Sequence, residues 1–467
     1  MGMRMNTIHN LTIETRLDPR TSADMIRYYE SWRAEYGKVY RYAWYHYARL
    51  SSRPRRSVFN TQLQRTFGIS KRTANSIIFD VTGRYNALLE LKKTEASLLK
   101  DKISSLNDQI ELLTKEVSEY ASKAAGNRLS EDELAVYRGK KRSLYFKKQR
   151  MKKKEDQLQQ LEKDISGGKL GICFGTRKLF DAQNRLQEND FHSHDQWYRK
   201  FSGLRDANIV YLGSKDETAC NQMFQLTPLP DGSFRIKCRK DGMTVTGKED
   251  RYVEGTCMFS YMGDCLRRQL SEKTNGITYR IHFEGRKVYL QAILSVNYGE
   301  ALATTLSEGA IGLDYNDGFI QLAETDKHGN LVHLEKHMLT FHGTGTRAEN
   351  EIRQAIAAIA RCSLQKGKSI VCENLDFKHT KGKQLKGQGK KGKRYNRMTH
   401  LLDYSRYKDT LRNAAVRNRI DLVMVNPAYT SKIASKKYCT PKKLNIHAGA
   451  AYVIARRGQG FKDKYMA

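Results

Sequence analysis

Two carboxylates in the last third of the chain have the setting that metal and phosphate chemistry needs. Asp314 follows Gly309-Ala310-Ile311-Gly312-Leu313, and Glu373 follows Ser369-Ile370-Val371-Cys372. Each short apolar run reads as a buried strand, so each acid falls at a strand end. A carboxylate there cannot be solvated on all sides and needs a cation or a hydrogen-bond donor. Two of them brought together point to Mg²⁺ and a phosphate substrate.

The elements that must position these acids follow in order. Residues 318–325 and 331–334, joined through Asp326-Lys327-His328-Gly329-Asn330, read as a β-hairpin directly after Asp314. An amphipathic helix is expected over 348–365, and then the strand that delivers Glu373. From Ala310 onward strands alternate with helices, the pattern of an α/β domain. Residues 169–300 are β-rich instead. Alternating runs at 234–238, 278–283 and 287–294, with turns at Pro230-Asp231-Gly232 and Glu284-Gly285, predict the hairpins of a barrel or sandwich.

Upstream the chain is mostly helical. An alternating run at 7–13 reads as a strand. Tyr28, Tyr29, Trp32, Tyr36, Tyr40, Trp44, Tyr45 and Tyr47 then recur among arginines at helical spacing. Such rings serve either as a packed core or as stacking surfaces for nucleic acid. Phe67-Gly68-Ile69-Ser70 resembles the turn between two helices, with Ser70 as the next N-cap. Ala96, Leu99, Ile103, Leu106, Ile110, Leu113, Val117 and Tyr120 form a heptad seam. Beyond the Gly126-Asn127 break the seam continues less regularly, which predicts an antiparallel helical hairpin. Its outer faces carry Lys147-Lys148 and Lys152-Lys153-Lys154, either a solvated face or a bed for a phosphate backbone.

The 467 residues exceed what one core holds, so two to four domains are expected. Lys and Arg number 83 against 50 acids, a formal net charge of +33. That excess implies a polyanionic partner, nucleic acid first. A membrane surface is disfavoured because no amphipathic anchor, signal-like leader or long apolar run is present. The expectation is a cytoplasmic protein of the nucleoid. Eight cysteines are scattered without a C-x-x-C pair, so packed thiols are expected rather than disulfides or a zinc site.

The C-terminal third resembles the RuvC-type domain of the TnpB family, transposon-encoded RNA-guided nucleases related to type V CRISPR effectors. Gly312-Leu313-Asp314 resembles the first RuvC motif and Glu373-Asn374-Leu375-Asp376-Phe377 the second. Asn426-Pro427-Ala428-Tyr429-Thr430-Ser431 is similar to the segment preceding the family's zinc ribbon. Residues 450–458 resemble the third motif's helix, and Cys173-Phe174-Gly175-Thr176-Arg177-Lys178-Leu179-Phe180 the start of its wedge domain. The similarity is strongest over about residues 310–460, weaker over 166–300 and a matter of layout before that.

Two departures define a subgroup. Only Cys439 stands where the family carries two C-x-x-C pairs, so no zinc ribbon is expected. The family's third acid precedes the Ala-Ala pair by three residues, and here that position is His447. The resemblance therefore implies a site of Asp314, Glu373 and His447, holding Mg²⁺ or, with imidazole present, Mn²⁺. His447 acts there as a ligand or positions the attacking water; the opposite reading is a packed helix residue in a site that binds and does not cut. After Glu373 comes a Gly-rich basic run without acids: Lys381, Lys383, Lys386, Lys390, Lys391, Lys393, Arg394 and Arg397. It is expected as a flap, residues 378–397, that closes on a nucleic-acid strand. Arg456 and Arg457 are expected to brace carboxylates or meet phosphate.

The resulting expectation is an α+β multidomain protein. Residues 1–20 begin a wedge domain, 21–166 form a helical recognition lobe, 167–305 complete a β-barrel wedge, and 306–467 form an RNase H-like RuvC α/β domain with a reduced insert at 428–445. The implied function is RNA-guided endonuclease cleavage of double-stranded DNA beside a short flanking motif, with a guide RNA from the transposon end. The alternative is a nuclease-inactive, RNA-guided DNA-binding repressor. A transposase is set aside because no strand-joining apparatus is visible.

Overall fold

The computed structural model describes residues 3–4, 8–50, 52–126, 129–168, 170–241, 251–297, 302–316, 318–340, 346–374 and 401–463. The chain divides into two compact units, Thr12–Leu294 on one side and Met1–Leu11 with Ser295–Ala467 on the other. Strands β1 (Met3–Arg4) and β2 (Ile8–Arg16) open the chain.

In the larger unit, α1 (Ala23–Ala43) runs into a π-helical turn over Trp44–Ala48. Tyr28, Tyr29, Trp32, Tyr36, Tyr40, Trp44 and Tyr47 are buried, so most of the aromatic series builds core; Tyr45 is 48% exposed. Helix α2 (Arg56–Phe67) stops at Gly68, whose φ of 65° suits a residue without Cβ. Ser70 then accepts the Thr73 N–H at 3.2 Å and starts α3 (Lys71–Ala125). The expected hairpin partner is α4 (Glu131–Ser166), opened by a Ser130/Glu133 capping box. The pairs Lys100–Glu162 at 2.8 Å and Lys140–Glu116 at 3.0 Å fix its antiparallel register. The seam buries Ala96, Leu106, Ile110 and Leu161.

Helices α5 (Arg177–Asp181) and α6 (His194–Arg205) lead into the β-rich part. Its strands are β3 (Asn208–Tyr211), β4 (Phe224–Pro228), β5 (Phe234–Arg239), β6 (Tyr252–Cys257), β7 (Thr278–Glu284) and β8 (Lys287–Asn297), with α7 (Gly263–Glu272) after β6. They form two sheets among the described residues, β2-β8-β7-β3 and β4-β5-β6. The closed barrel expected over 167–305 is therefore corrected to two open sheets. Alternating burial is the same for a strand in either setting, so closure leaves no mark in the pattern.

The second unit contains β9 (Thr305–Asn316), β10 (Phe319–Thr325), β11 (Leu331–Met338), α8 (Thr346–Lys366), β12 (Lys368–Glu373), α9 (Leu401–Asn418), β13 (Leu422–Val425), α10 (Thr430–Ile433) and α11 (Ile446–Gly458). One six-stranded sheet runs β1-β13-β12-β9-β10-β11. β9, β10 and β11 are antiparallel neighbours, whereas β12 lies parallel to both β9 and β13. The hairpin, helix and second acidic strand thus follow Asp314 in the expected order. Helices cover both faces. Ile311, Leu313, Ile320 and Leu322 pack against Ile352, Ile356 and Ile359 of α8 and Leu411 and Ala415 of α9. Ala310, Val371, Val423 and Val425 pack against Ile454 and Ala455 of α11.

Candidate active site

The pleat decides where the two acids point. Side chains two residues apart share a face, so Asp314 follows Ala310 and Gly312 toward α11, and Glu373 follows Val371. β9 and β12 are parallel neighbours with Cys372 opposite Leu313, which brings both acids to one end of the same face.

Helix α11 completes the site. Asn445 is its N-cap, with Oδ1 accepting the His447 N–H at 3.0 Å and the Ala448 N–H at 2.9 Å. His447, Ala451 and Ala455 are four residues apart and form one stripe. Close approach needs small residues. A Cβ on Gly312 would collide with the Ala451 carbonyl and lie 2.6 Å from the Ala455 nitrogen, and one on Gly458 would meet Val371.

That docking puts His447 Nδ1 3.2 Å from Asp314 Oδ2. Asn316, two residues along the strand, donates from Nδ2 to the same oxygen at 2.8 Å. The Phe319 ring meets the imidazole edge-on, with centroids 5.1 Å apart. The His447 side chain stays 39% exposed and that of Asp314 only 13%. Glu373 Oε1 accepts the Thr430 hydroxyl at 2.6 Å. Burial pushes the Glu373 carboxyl up to about 7; the Asp314 charge pushes the same way, while the Thr430 hydroxyl and the Arg457 cation pull down.

Asn316, Phe319 and Asn445 belong to the site and were not singled out by sequence; Thr430 lies in a quoted motif, but its bond to Glu373 was not foreseen. Asn445 carried the one readable signal, an Asn directly before an apolar helix. Of the expected basic residues, Lys381, Lys383, Lys386, Lys390, Lys391, Lys393, Arg394 and Arg397 lie outside the described residues. Arg456 donates from Nε to Asp463 Oδ2 at 2.8 Å and from Nη1 to the Gly329 carbonyl at 2.8 Å, and it stacks 4.6 Å from the Phe461 centroid. Arg457 donates to the Asn426 and Ala428 carbonyls. Both guanidiniums therefore tie α11 to its own unit. The 428–445 span is filled by α10 and a π-helical turn over Ala434–Cys439, and Cys439 is a free thiol.

Among the described residues no three His, Cys, Asp or Glu side chains gather as a ready-made metal cage. The donor chemistry nevertheless fits a hard divalent ion. Mg²⁺ keeps several waters and is commonly held by one or two carboxylates plus substrate phosphates, and imidazole adds a donor that suits Mn²⁺. Two carboxylates near enough for one to raise the other's pKa carry a charge that such an ion offsets.

No family model and no curated protein matches the chain. Solved structures give distant likenesses. The cryo-EM structure of a CRISPR-Cas12f ternary complex matches 96% of this chain and 98% of its own at 11% identity, with a TM-score of 0.22. The crystal structure of a Cas12i1–crRNA binary complex matches 85% of this chain and 49% of its own at 9% identity, with a TM-score of 0.23. TM-scores this low assign no fold, and the site is read from its own residues. Among the described residues no helix is long and apolar enough to cross a membrane.

Proposed function

We propose that the chain is an RNA-guided endonuclease that hydrolyses DNA phosphodiesters with Mg²⁺ or Mn²⁺. The observation that carries this reading is the pair of acids Asp314 and Glu373 at one end of one sheet face, with His447 of the covering helix 3.2 Å from Asp314 and the Asp314 charge raising the Glu373 carboxyl. A net charge of +33 supports a nucleic-acid substrate. The RNase H-like expectation is supported by the strand order and by the hairpin between the two acidic strands.

A divalent ion at such a site supplies Lewis-acid polarisation of the phosphate and lowers the pKa of water. Asp314 and Glu373 would hold it; Oδ1 of Asp314 takes neither the His447 nor the Asn316 bond. In the tautomer with its proton on Nδ1, His447 donates to Asp314 and keeps Nε2 as an acceptor, able to take a proton from an attacking water. Asn316 holds the carboxylate plane of Asp314, and Thr430 holds that of Glu373. Phe319 fixes the imidazole and covers one side of it. Target choice falls to base pairing with the guide, which the transposon end would encode.

The reading as a repressor that binds without cutting rests on His447 standing where a third acid is expected. Sequencing the RNA that copurifies with the protein, then offering a plasmid that carries the matching sequence, separates the two. Guide-dependent cleavage in Mg²⁺ or Mn²⁺ supports the nuclease. Guide-dependent binding with the plasmid intact in both metals rejects it.

A further inference from the structure

We propose that a cleft of about 390 Å³ in the larger unit, walled by Tyr45, Phe174, Phe180 and Phe201 and edged by Arg177 and Arg205, binds an unpaired nucleobase together with its adjoining phosphate. This adds a recognition site to the nucleic-acid-binding half of the function proposed above and requires no cleavage. The segment that builds it, residues 173–180, plays no part in the carboxylate site.

The cleft is assembled from short-range features. Gly175, at φ +100°, turns the chain where a Cβ would lie 3.2 Å from the Phe201 ring. Thr176 caps α5 by accepting the Leu179 N–H at 3.3 Å, and Trp197 Nε1 donates to the Leu179 carbonyl at 2.7 Å. Phe174 is held edge-on by Trp44, with centroids 5.8 Å apart. The floor is therefore rigid core, with Phe201 only 7% exposed.

The rim is different. Phe180 is 40% exposed and Tyr45 48%, two large rings left open to solvent at the mouth of one cleft. Arg205 is held through Nη2 by the buried Asp206 at 3.0 Å, which sets its guanidinium plane, whereas Arg177 pairs through Nε with Asp181 at 3.1 Å on the exposed rim. Arg205 also lies 5.8 Å from the Phe201 centroid.

Those features select one chemistry. No Asp or Glu lines the cleft itself, and each guanidinium, though paired with Asp181 or Asp206, keeps N–H donors beyond that pair, which favours an anionic guest over an ammonium group. Guanidiniums at the rim disfavour an aliphatic chain. A flat π-system bearing an anion satisfies both ring and guanidinium walls, and single-stranded nucleic acid is bound by this combination. The volume lies within the range of pockets for small molecules of nucleotide size.

Cys173 lines the same cleft and provides a local reporter. It is partly exposed, as are Cys265, Cys362 and Cys439, whereas Cys220, Cys238, Cys257 and Cys372 are buried. Full-length protein stripped of copurifying nucleic acid at high salt is treated with a maleimide, and labelling at each cysteine is followed by peptide mass spectrometry. Short single-stranded adenylate oligomers, one RNA and one DNA, are expected to slow labelling of Cys173 at least about tenfold while leaving Cys265, Cys362 and Cys439 unchanged. The arm with the stronger protection identifies the natural strand. A matching duplex and polyglutamate are expected to protect far less. In the Tyr45→Ala/Phe180→Ala double variant, whose replaced rings are nearly half exposed, anisotropy should show about tenfold weaker single-strand binding. Undiminished Cys173 labelling at saturating oligomer, or equal protection by polyglutamate, overturns the proposal. Loss of DNA cleavage with Cys173 protection intact would count against the nuclease and leave this site standing.

Discussion

His447 Nδ1 stands 3.2 Å from Asp314 Oδ2 although 133 residues separate them in the chain. A histidine whose one nitrogen is fixed by a carboxylate presents the other in a defined direction. His447→Ala should therefore lower the cleavage rate by about 10²–10⁴-fold, the usual worth of a general base. Guide RNA affinity should not change. His447→Asp restores a third carboxylate and should shift the metal preference from Mn²⁺ toward Mg²⁺. Cleavage rates measured in each metal decide; wild-type rates in His447→Ala would remove the imidazole from the chemistry.

Glu373 makes stability depend on pH. Its folded pKa of about 7 lies above the ordinary carboxylate value, so the neutral form is favoured by folding. That contribution is complete below about pH 4.3 and is lost as pH rises through 7. The metal-free protein should lose on the order of 2 kcal/mol between pH 5 and 8 through this group. Glu373→Gln should flatten the dependence, as urea midpoints at the two pH values will register. A variant with the wild-type slope would place the titration elsewhere. Divalent ions favour the carboxylate, so Mn²⁺ affinity should weaken as pH falls below 7.

Thr430 holds Glu373 by one hydroxyl bond of 2.6 Å that favours the charged carboxylate. Thr430→Val keeps the shape and removes the donor, so the Glu373 titration should move upward and Mn²⁺ binding at pH 7 should weaken severalfold. Thr430→Ser should behave as wild type. Calorimetric Mn²⁺ titration of the three proteins tests this, and equal affinity in all three would reduce Thr430 to a packing residue.

Gly312 sets how closely α11 approaches β9, because an added Cβ meets the Ala451 carbonyl and the Ala455 nitrogen. Both are backbone atoms and cannot swing aside. Gly312→Ala should destabilise the unit by about 1–3 kcal/mol and separate His447 from Asp314. Chemical denaturation and cleavage measured on the same preparation should fall together; an unaffected protein would mean that the helix shifts without cost.

The two acidic strands were legible because a buried strand shows as an unbroken apolar run, the hairpin because of its Asp326-Lys327-His328-Gly329-Asn330 turn, and α8 because its period is regular. The α3/α4 hairpin was legible for the same reason, down to the Ser70 cap and the break at Gly126. The number of sheets in the β-rich region was not. Pairings such as β7 with β8 and β4 with β5 are local, but the β2-β8 and β3-β7 pairings that complete the four-stranded sheet join strands far apart in sequence. The pairing of Met3 with Met424 left no trace either, since a two-residue strand carries no period. In the site, His447 was found through motif resemblance. The roles of Thr430 and Asn316 were missed because a single hydroxyl or amide has no pattern until the fold places it beside an acid. Arg456 and Arg457 read as bracing carboxylates or meeting phosphate; Arg456 holds the Asp463 carboxylate, and Arg457 donates to the Asn426 and Ala428 carbonyls.

The central claim is that Asp314 and Glu373 together make a metal-dependent DNA-cutting site. Its most direct test is the cleavage of a guide-matched plasmid by the purified ribonucleoprotein, wild type against Asp314→Ala and Glu373→Ala, in Mg²⁺ and in Mn²⁺ with a chelator control. The expected result is cutting by the wild type alone, abolished by chelator, with RNA content and target binding equal in all three proteins. Cutting by either variant at the wild-type rate, or an intact plasmid in every lane despite full target binding, would contradict it.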